Sequence, residues 1–173
     1  DIRPTKYDKH TKKHADLALK DIIVPFPNFD SADFSESYDW QIDRSEKYGH
    51  SYQLYIQALR IVSSLLLEYE ESENMEYLRK ARFIIESWMD FKDTEPENRM
   101  IWYDHPAANR AQNIIHFLFL SKNKLKIDEE RYYDTLLEHA EFMSDPSEYR
   151  PNNHGLMMDR ALMILGRILD RKD

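Results

Sequence analysis

The sequence has no cysteine, which excludes disulfides, thiolate zinc sites, iron–sulfur clusters and cysteine nucleophiles while leaving the compartment open. It has three glycines in 173 residues, so neither a glycine-rich phosphate loop nor a fold of tight hairpins is expected. Long apolar runs are missing too: residues 114–120 carry His116 among them and fall far short of the roughly 20 residues that a bilayer crossing needs. Positive charge is in deficit, with 24 Lys and Arg against 32 Asp and Glu, for a formal net charge of −8. No nucleic-acid or membrane partner is expected of such a chain, and an anionic ligand must meet a locally cationic site. The first residue is Asp1 rather than Met with no signal-peptide pattern after it, so a processed or excised piece is the expectation. One domain with a sizeable core is the expectation at this length.

What is present reads as helices. Over residues 50–71, Leu54, Ala58, Ile61 and Leu65 run beside Tyr55, Leu59, Val62 and Leu66, two adjacent stripes of one broadly buried helix. Asn74 caps a second helix to about Phe91, with Leu78, Ala81, Ile85 and Trp88 on its inner face. A third starts near Pro106, carries Ala108, Ala111, Ile115 and Leu118, and ends near Lys122. Asp128, with Glu129 and Glu130, opens a fourth that bears Tyr133, Leu137 and Ala140 and stops before Pro146. A fifth begins at Asn152 or Asn153 with Met158, Ala161, Leu165 and Ile168 in step, widened by Leu162 and Leu169. Short links alternate with long ones, so the long links and the starts of helices one, three and five should gather at one end. These starts recur roughly every 50 residues, a helical-hairpin repeat, and the wider apolar stripes of the odd helices predict that they form an inner layer and the even ones an outer layer. The fifth helix lacks a hairpin partner, and Leu162, Leu165 and Leu169 should form an apolar edge. Residues 1–39 are expected as a polar helix over 8–20 and an extended strap over 22–29, interrupted by Pro25 and Pro27.

Two helix starts carry candidate chemistry. In Pro151-Asn152-Asn153-His154-Gly155 an amide and an imidazole sit where a helix dipole is positive, a place suited to a carboxylate; the plainer alternative is an Asn cap and a Gly that permits close packing. Trp102-Tyr103-Asp104-His105-Pro106 with Asn109-Arg110 is the matching start one repeat earlier. There Arg110 could hold a sugar carboxylate and Trp102 stack on a ring, or Trp102 could anchor the loop and Arg110 pair with Asp159 or another acid. Asn153, His154, His105 and Arg110 should then open onto one concavity with Trp102 on its rim. His50, His105 and His154 could in principle form a metal site, but the sequence has no His-Glu-x-x-His motif and no metal or cofactor is expected. His10 and His14 are an i, i+4 pair in a solvated amino terminus, His116 and His139 are packing residues, and Tyr48, Tyr52 and Tyr55 are mostly core.

From Trp40 to the end, the sequence resembles the α/α-toroid domain of the heparinase II/III-like polysaccharide lyases, which include toroid-type alginate lyases. The resemblance is carried by Trp40 with Asp43-Arg44, by Trp102-x-Asp104-His105 with Asn109-Arg110, and above all by Asn152-Asn153-His154-Gly155 with Asp159-Arg160. It implies an all-α fold of helical hairpins, a partial toroid over residues 40–173 truncated before further helices and a β-sandwich. It implies cleavage of an acidic polysaccharide by β-elimination, with Asn153 and His154 neutralising the uronate carboxylate and Trp40, Trp102, His105 and Arg110 binding substrate. The family's catalytic tyrosine and a further histidine fall beyond Asp173, and nothing matches Tyr103 or Tyr149 to that role. The chain is therefore expected to be inactive alone, to pack with a missing C-terminal part or self-associate, and to come from a periplasmic or secreted protein, the cytoplasm remaining open. Two other classes stay in view: a helical-repeat module that binds glycan or protein, and a toroid glycoside hydrolase with Asp104 and Asp159 as its carboxylates.

Overall fold

Polar side chains stand just ahead of the apolar stretches and start the helices there. The computed structural model describes residues 2–169, which form α1 (Thr11–Ala18), β1 (Ile22–Ile23), β2 (Ala32–Asp33), α2 (Ser45–Tyr48), α3 (Ser51–Gln57), α4 (Arg60–Ser72), α5 (Met75–Lys92), α6 (Asp104–Ser121), α7 (Glu129–Ser144) and α8 (Asn153–Leu169). Asp8 Oδ1 accepts from the Thr11 amide at 3.0 Å, Asn74 Oδ1 from the Glu76 amide at 3.0 Å and Asp128 Oδ1 from the Arg131 amide at 3.3 Å. At α8 the acceptor is Asn152, whose Oδ1 takes the His154 amide at 2.8 Å, so the side chain of Asn153 is not the cap. The extended strap closes as an antiparallel ribbon that pairs Ile22 with Asp33 and Ile23 with Ala32.

The fold is all-α, with hairpins arranged as an incomplete α/α toroid. α4, α6 and α8 lie side by side; α5 packs on both α4 and α6, and α7 on both α6 and α8. This is the two-layer arrangement of odd and even helices expected from the wider apolar stripes of the odd ones. Tyr52, Leu65, Leu66, Leu78, Ile85, Trp88, Phe117 and Tyr132 are fully enclosed, and one continuous core runs from Ala15 and Ala18 of α1 to Leu165 of α8. No helix among the described residues is long and apolar enough to cross a membrane.

Three details depart from the periodicity. The helix expected over residues 50–71 is broken into α3 and α4 at Leu59, which takes a left-handed conformation (φ 51°, ψ 38°). Side chains of α6 satisfy the carbonyls left free at the break: Arg110 Nη1 donates to Gln57 O at 2.6 Å, and Asn113 Nδ2 to Ala58 O at 3.3 Å and Leu59 O at 3.1 Å. In α7 the buried face is Tyr132, Leu136, His139 and Met143, one residue out of step with the expected Tyr133, Leu137 and Ala140; Leu137 is 43% exposed. The paired Tyr132-Tyr133 and Leu136-Leu137 permit both frames, and the one adopted buries His139 against Arg110. On α8, Leu165 belongs to the core and Leu162 and Leu169 are half-buried, while Leu156 and Met163 are each 66% exposed. The open apolar face is thus opposite the expected edge, because α6 and α7 together cover the Met158, Ala161 and Leu165 side.

Candidate functional site

The starts of α6 and α8 meet. Asp104, the first residue of α6, is only 3% exposed, and its Oδ1 lies 3.0 Å from His154 Nδ1 while also accepting the His105 amide at 2.6 Å. Its Oδ2 is buried without a hydrogen-bond partner among the described residues. A buried carboxylate fixes the imidazole as an Nδ1–H donor and leaves Nε2 as the nitrogen free to act, with the His154 side chain 37% exposed. The His105 and His154 rings lie 5.9 Å apart, and Tyr103 meets His154 edge-on at 6.5 Å. Burial, followed by the proximity of His154, pushes the His105 pKa down to about 4, so this ring is neutral near pH 7.

The local sequence explains the placement. Gly155 comes so close to the Arg150 carbonyl that a Cβ would collide with it, and the Tyr149 ring closes the other side. The 145–152 link therefore folds tightly onto the first turn of α8. Arg150 lies over the Tyr103 ring at 5.3 Å and its Nη1 donates to the Tyr103 hydroxyl at 3.2 Å, while the Tyr149 hydroxyl donates to Asp159 at 3.2 Å. These contacts tie the link to both helix starts. Asn153 follows the cap with its side chain exposed, beside His154. Asn109, one turn into α6, donates from Nδ2 to the His105 carbonyl at 3.0 Å.

The expected set is only partly brought together. The His105 and His154 rings come together, with Asn153 exposed next to His154 in the chain, but Arg110 does not reach the surface: it is fully buried, with Nε donating to His139 Nε2 at 2.8 Å, Nη1 to Gln57 O and Nη2 to Ile101 O at 2.7 Å. Burial opposes its charge, and the three acceptors together with the Trp88 face 4.0 Å away stabilise it. Its partners are neutral; neither Asp159 nor any other acid is among them. Trp40 is likewise enclosed, 4% exposed, donating from Nε1 to Ser87 Oγ at 3.2 Å while its carbonyl accepts from Gln57 Nε2 at 2.7 Å. Neither Arg110 nor Trp40 has a face for a sugar. Trp102 packs on His139 at 5.1 Å and Phe142 at 5.6 Å, and borders a cavity of about 450 Å³ lined also by Lys92, Pro96 and Glu138, whose wall does not include His105 or His154. His50 is exposed at the start of α3. Among the described residues no group of three or more His, Cys, Asp or Glu side chains converges on a metal position.

Of the two carboxylates named for a hydrolase, Asp104 lies buried beneath His154 and Asp159 accepts from the Tyr149 hydroxyl. Reasoning from the sequence missed the role of Asp104 as the anchor of His154, and missed Arg60, which shares a small cavity with His105 and Asn109. The i, i+4 spacing of His105 and Asn109 was the available signal for the second group.

The fold and the paired helix starts define an incomplete α/α toroid with an anchored histidine at one end. No protein-family model and no curated protein matches the sequence. Among solved structures, it is similar in fold to heparan sulfate lyase HepC from Pedobacter heparinus (TM-score 0.76) and to a mutant of that enzyme (TM-score 0.74). Each match has 18% identity and covers 96% of this chain but 26% of the other, so the chain spans about a quarter of the length of these structures.

Proposed function

We propose that this chain is the amino-terminal toroid portion of a periplasmic or secreted polysaccharide lyase that cleaves a uronic-acid-containing polymer by β-elimination. The observation that carries the reading is the His154 imidazole held by buried Asp104 beside exposed Asn153. Similarity in fold to a heparan sulfate lyase supports it. Removing the proton next to a uronate carboxylate places further negative charge on that group, and donors aimed at it lower the barrier. Asn153 supplies an amide N–H. The imidazolium form of His154 would donate Nε2–H to that carboxylate while its Nδ1–H stays on Asp104. The proton then leaves C5 to a base, the C4–O bond breaks with the electron pair going to the leaving oxygen, and an acid protonates that oxygen. We assign this base and acid to residues outside this chain, and we assign the isolated chain no turnover.

The test is to incubate this chain and the longer protein with glucuronate- and alginate-type polymers and follow absorbance of the unsaturated product. Product from the longer protein alone supports the reading. New reducing ends without an unsaturated product identify a hydrolase, binding without any product identifies a glycan-binding module, and robust elimination by residues 1–173 refutes the division of labour.

A further inference from the structure

Arg60, at the start of α4, is a half-buried cation that forms no ion pair among the described residues. Its guanidinium lies 4.8 Å over the Phe26 ring and 6.0 Å from that of Tyr55, and among the described residues neither an ion pair nor a hydrogen bond holds it. This is unusual in a chain with 32 acidic residues. Burial lowers its pKa, and the acid that most offsets this besides the Tyr55 phenol, Asp8, is already occupied by the amides of His10 and Thr11 and the Thr11 hydroxyl. Arg60 lines one cavity with His105, Asn109, Tyr55, Ser63 and Thr5. Its volume is about 10 Å³, room for about one water. Thr5 sits on a mostly exposed segment that crosses α4, tethered where Arg3 meets Glu70 at 2.9 Å and the Tyr7 hydroxyl meets Glu68 at 2.7 Å.

We propose that Arg60, His105 and Asn109 form a subsite for an oxyanion, the carboxylate or sulfate of an acidic saccharide, next to His154 and entered when the segment bearing Thr5 lifts. The proposal rests on the lyase reading for the saccharide, and on the lone guanidinium for the charge. Arg60 offers a planar fork of donors on an aromatic shelf, a geometry matched to a carboxylate or sulfate edge. Asn109, whose Nδ2 donates to the His105 carbonyl at 3.0 Å and lies 3.3 Å from the ring Nε2, positions His105 as a neutral partner for the oxyanion, and the 5.9 Å between the His105 and His154 rings places the subsite within one sugar unit of the proposed catalytic pair.

The experiment is an NMR titration of this 173-residue chain at neutral pH and fixed ionic strength, with glucuronate in one arm and inorganic sulfate in the other. Saturable shifts of the Arg60 Nε–H and the His105 imidazole are expected in at least one arm, and the responsive arm identifies the oxyanion. Arg60→Gln weakens that response at least 10-fold, Arg60→Lys retains part of it, Thr5→Gly strengthens it, and Asn153→Ala leaves it in place. Shifts that stay linear and unsaturated in both arms, or equal affinity in Arg60→Gln, overturn the subsite. Failure of the lyase reading shows elsewhere, as absent elimination product from the longer protein, and leaves the Arg60 result interpretable.

Discussion

Arg110 is held by acceptors in three directions, and the effect of replacing it follows from leaving them empty. Arg110→Met strands Gln57 O, Ile101 O and His139 Nε2 in the core, at about 1–3 kcal/mol for each unpaired group. Loss of the buried charge offsets part of this, and a net loss of about 3 kcal/mol lowers the melting temperature by about 10 °C. Arg110→Lys does not rescue, because one ammonium cannot reach three acceptors set around a fork. Melting followed by circular dichroism checks both variants. The buried histidines add a pH dependence. His105 is held near 4, and His139, His116 and His14 are also pushed down by burial. Their unfolded forms take up protons as the pH falls through about 6.5 while the native forms resist, so stability is full above about 6.5 and falls toward 4. For His105 alone the loss is on the order of 2 kcal/mol by pH 5. Urea midpoints at pH 7.5 and pH 5 should differ in that direction.

At the scale of elements, the break between α3 and α4 and the start of α8 set the positions that matter. Asn113→Ala removes the partner of Ala58 O, Leu59 O and the Ser63 hydroxyl, and should cost about 2–3 kcal/mol by the same accounting of buried orphans. Gly155→Ala forces the Arg150 carbonyl away from α8 and moves His154 off Asp104; it is expected to lower stability and to lose the Nδ1–H signature of the His154–Asp104 hydrogen bond in NMR. The periodicity of apolar residues located five main helices and their caps at Asn74 and Asp128, because burial of one face leaves a direct trace in spacing. It could not show the break at Leu59, since Leu54, Ala58, Ile61 and Leu65 stay in step across it and the cause lies in α6 side chains about 50 residues away. For the same reason Arg110 reads as a surface ligand: the spacing marks its place on the helix, while its three acceptors come from three other parts of the chain. The start of α8 was legible because the cap and the glycine are both local.

For the whole molecule, the row of α4, α6 and α8 backed by α5 and α7 gathers the odd helix starts at one end, and the contact of Asp104 with His154 is the product of that geometry. Under the proposed lyase reading the charge to be stabilised there grows in the transition state, so the donors would act on the chemical step more than on binding. The most direct measurement is turnover and polymer affinity of the longer protein bearing Asn153→Ala or His154→Ala, side by side with the parent. The expected result is a fall in kcat of about 100-fold or more, the scale of a lost oxyanion donor, with affinity changed only a few-fold. Full turnover in the His154→Ala protein, or a loss confined to affinity, would contradict the assignment.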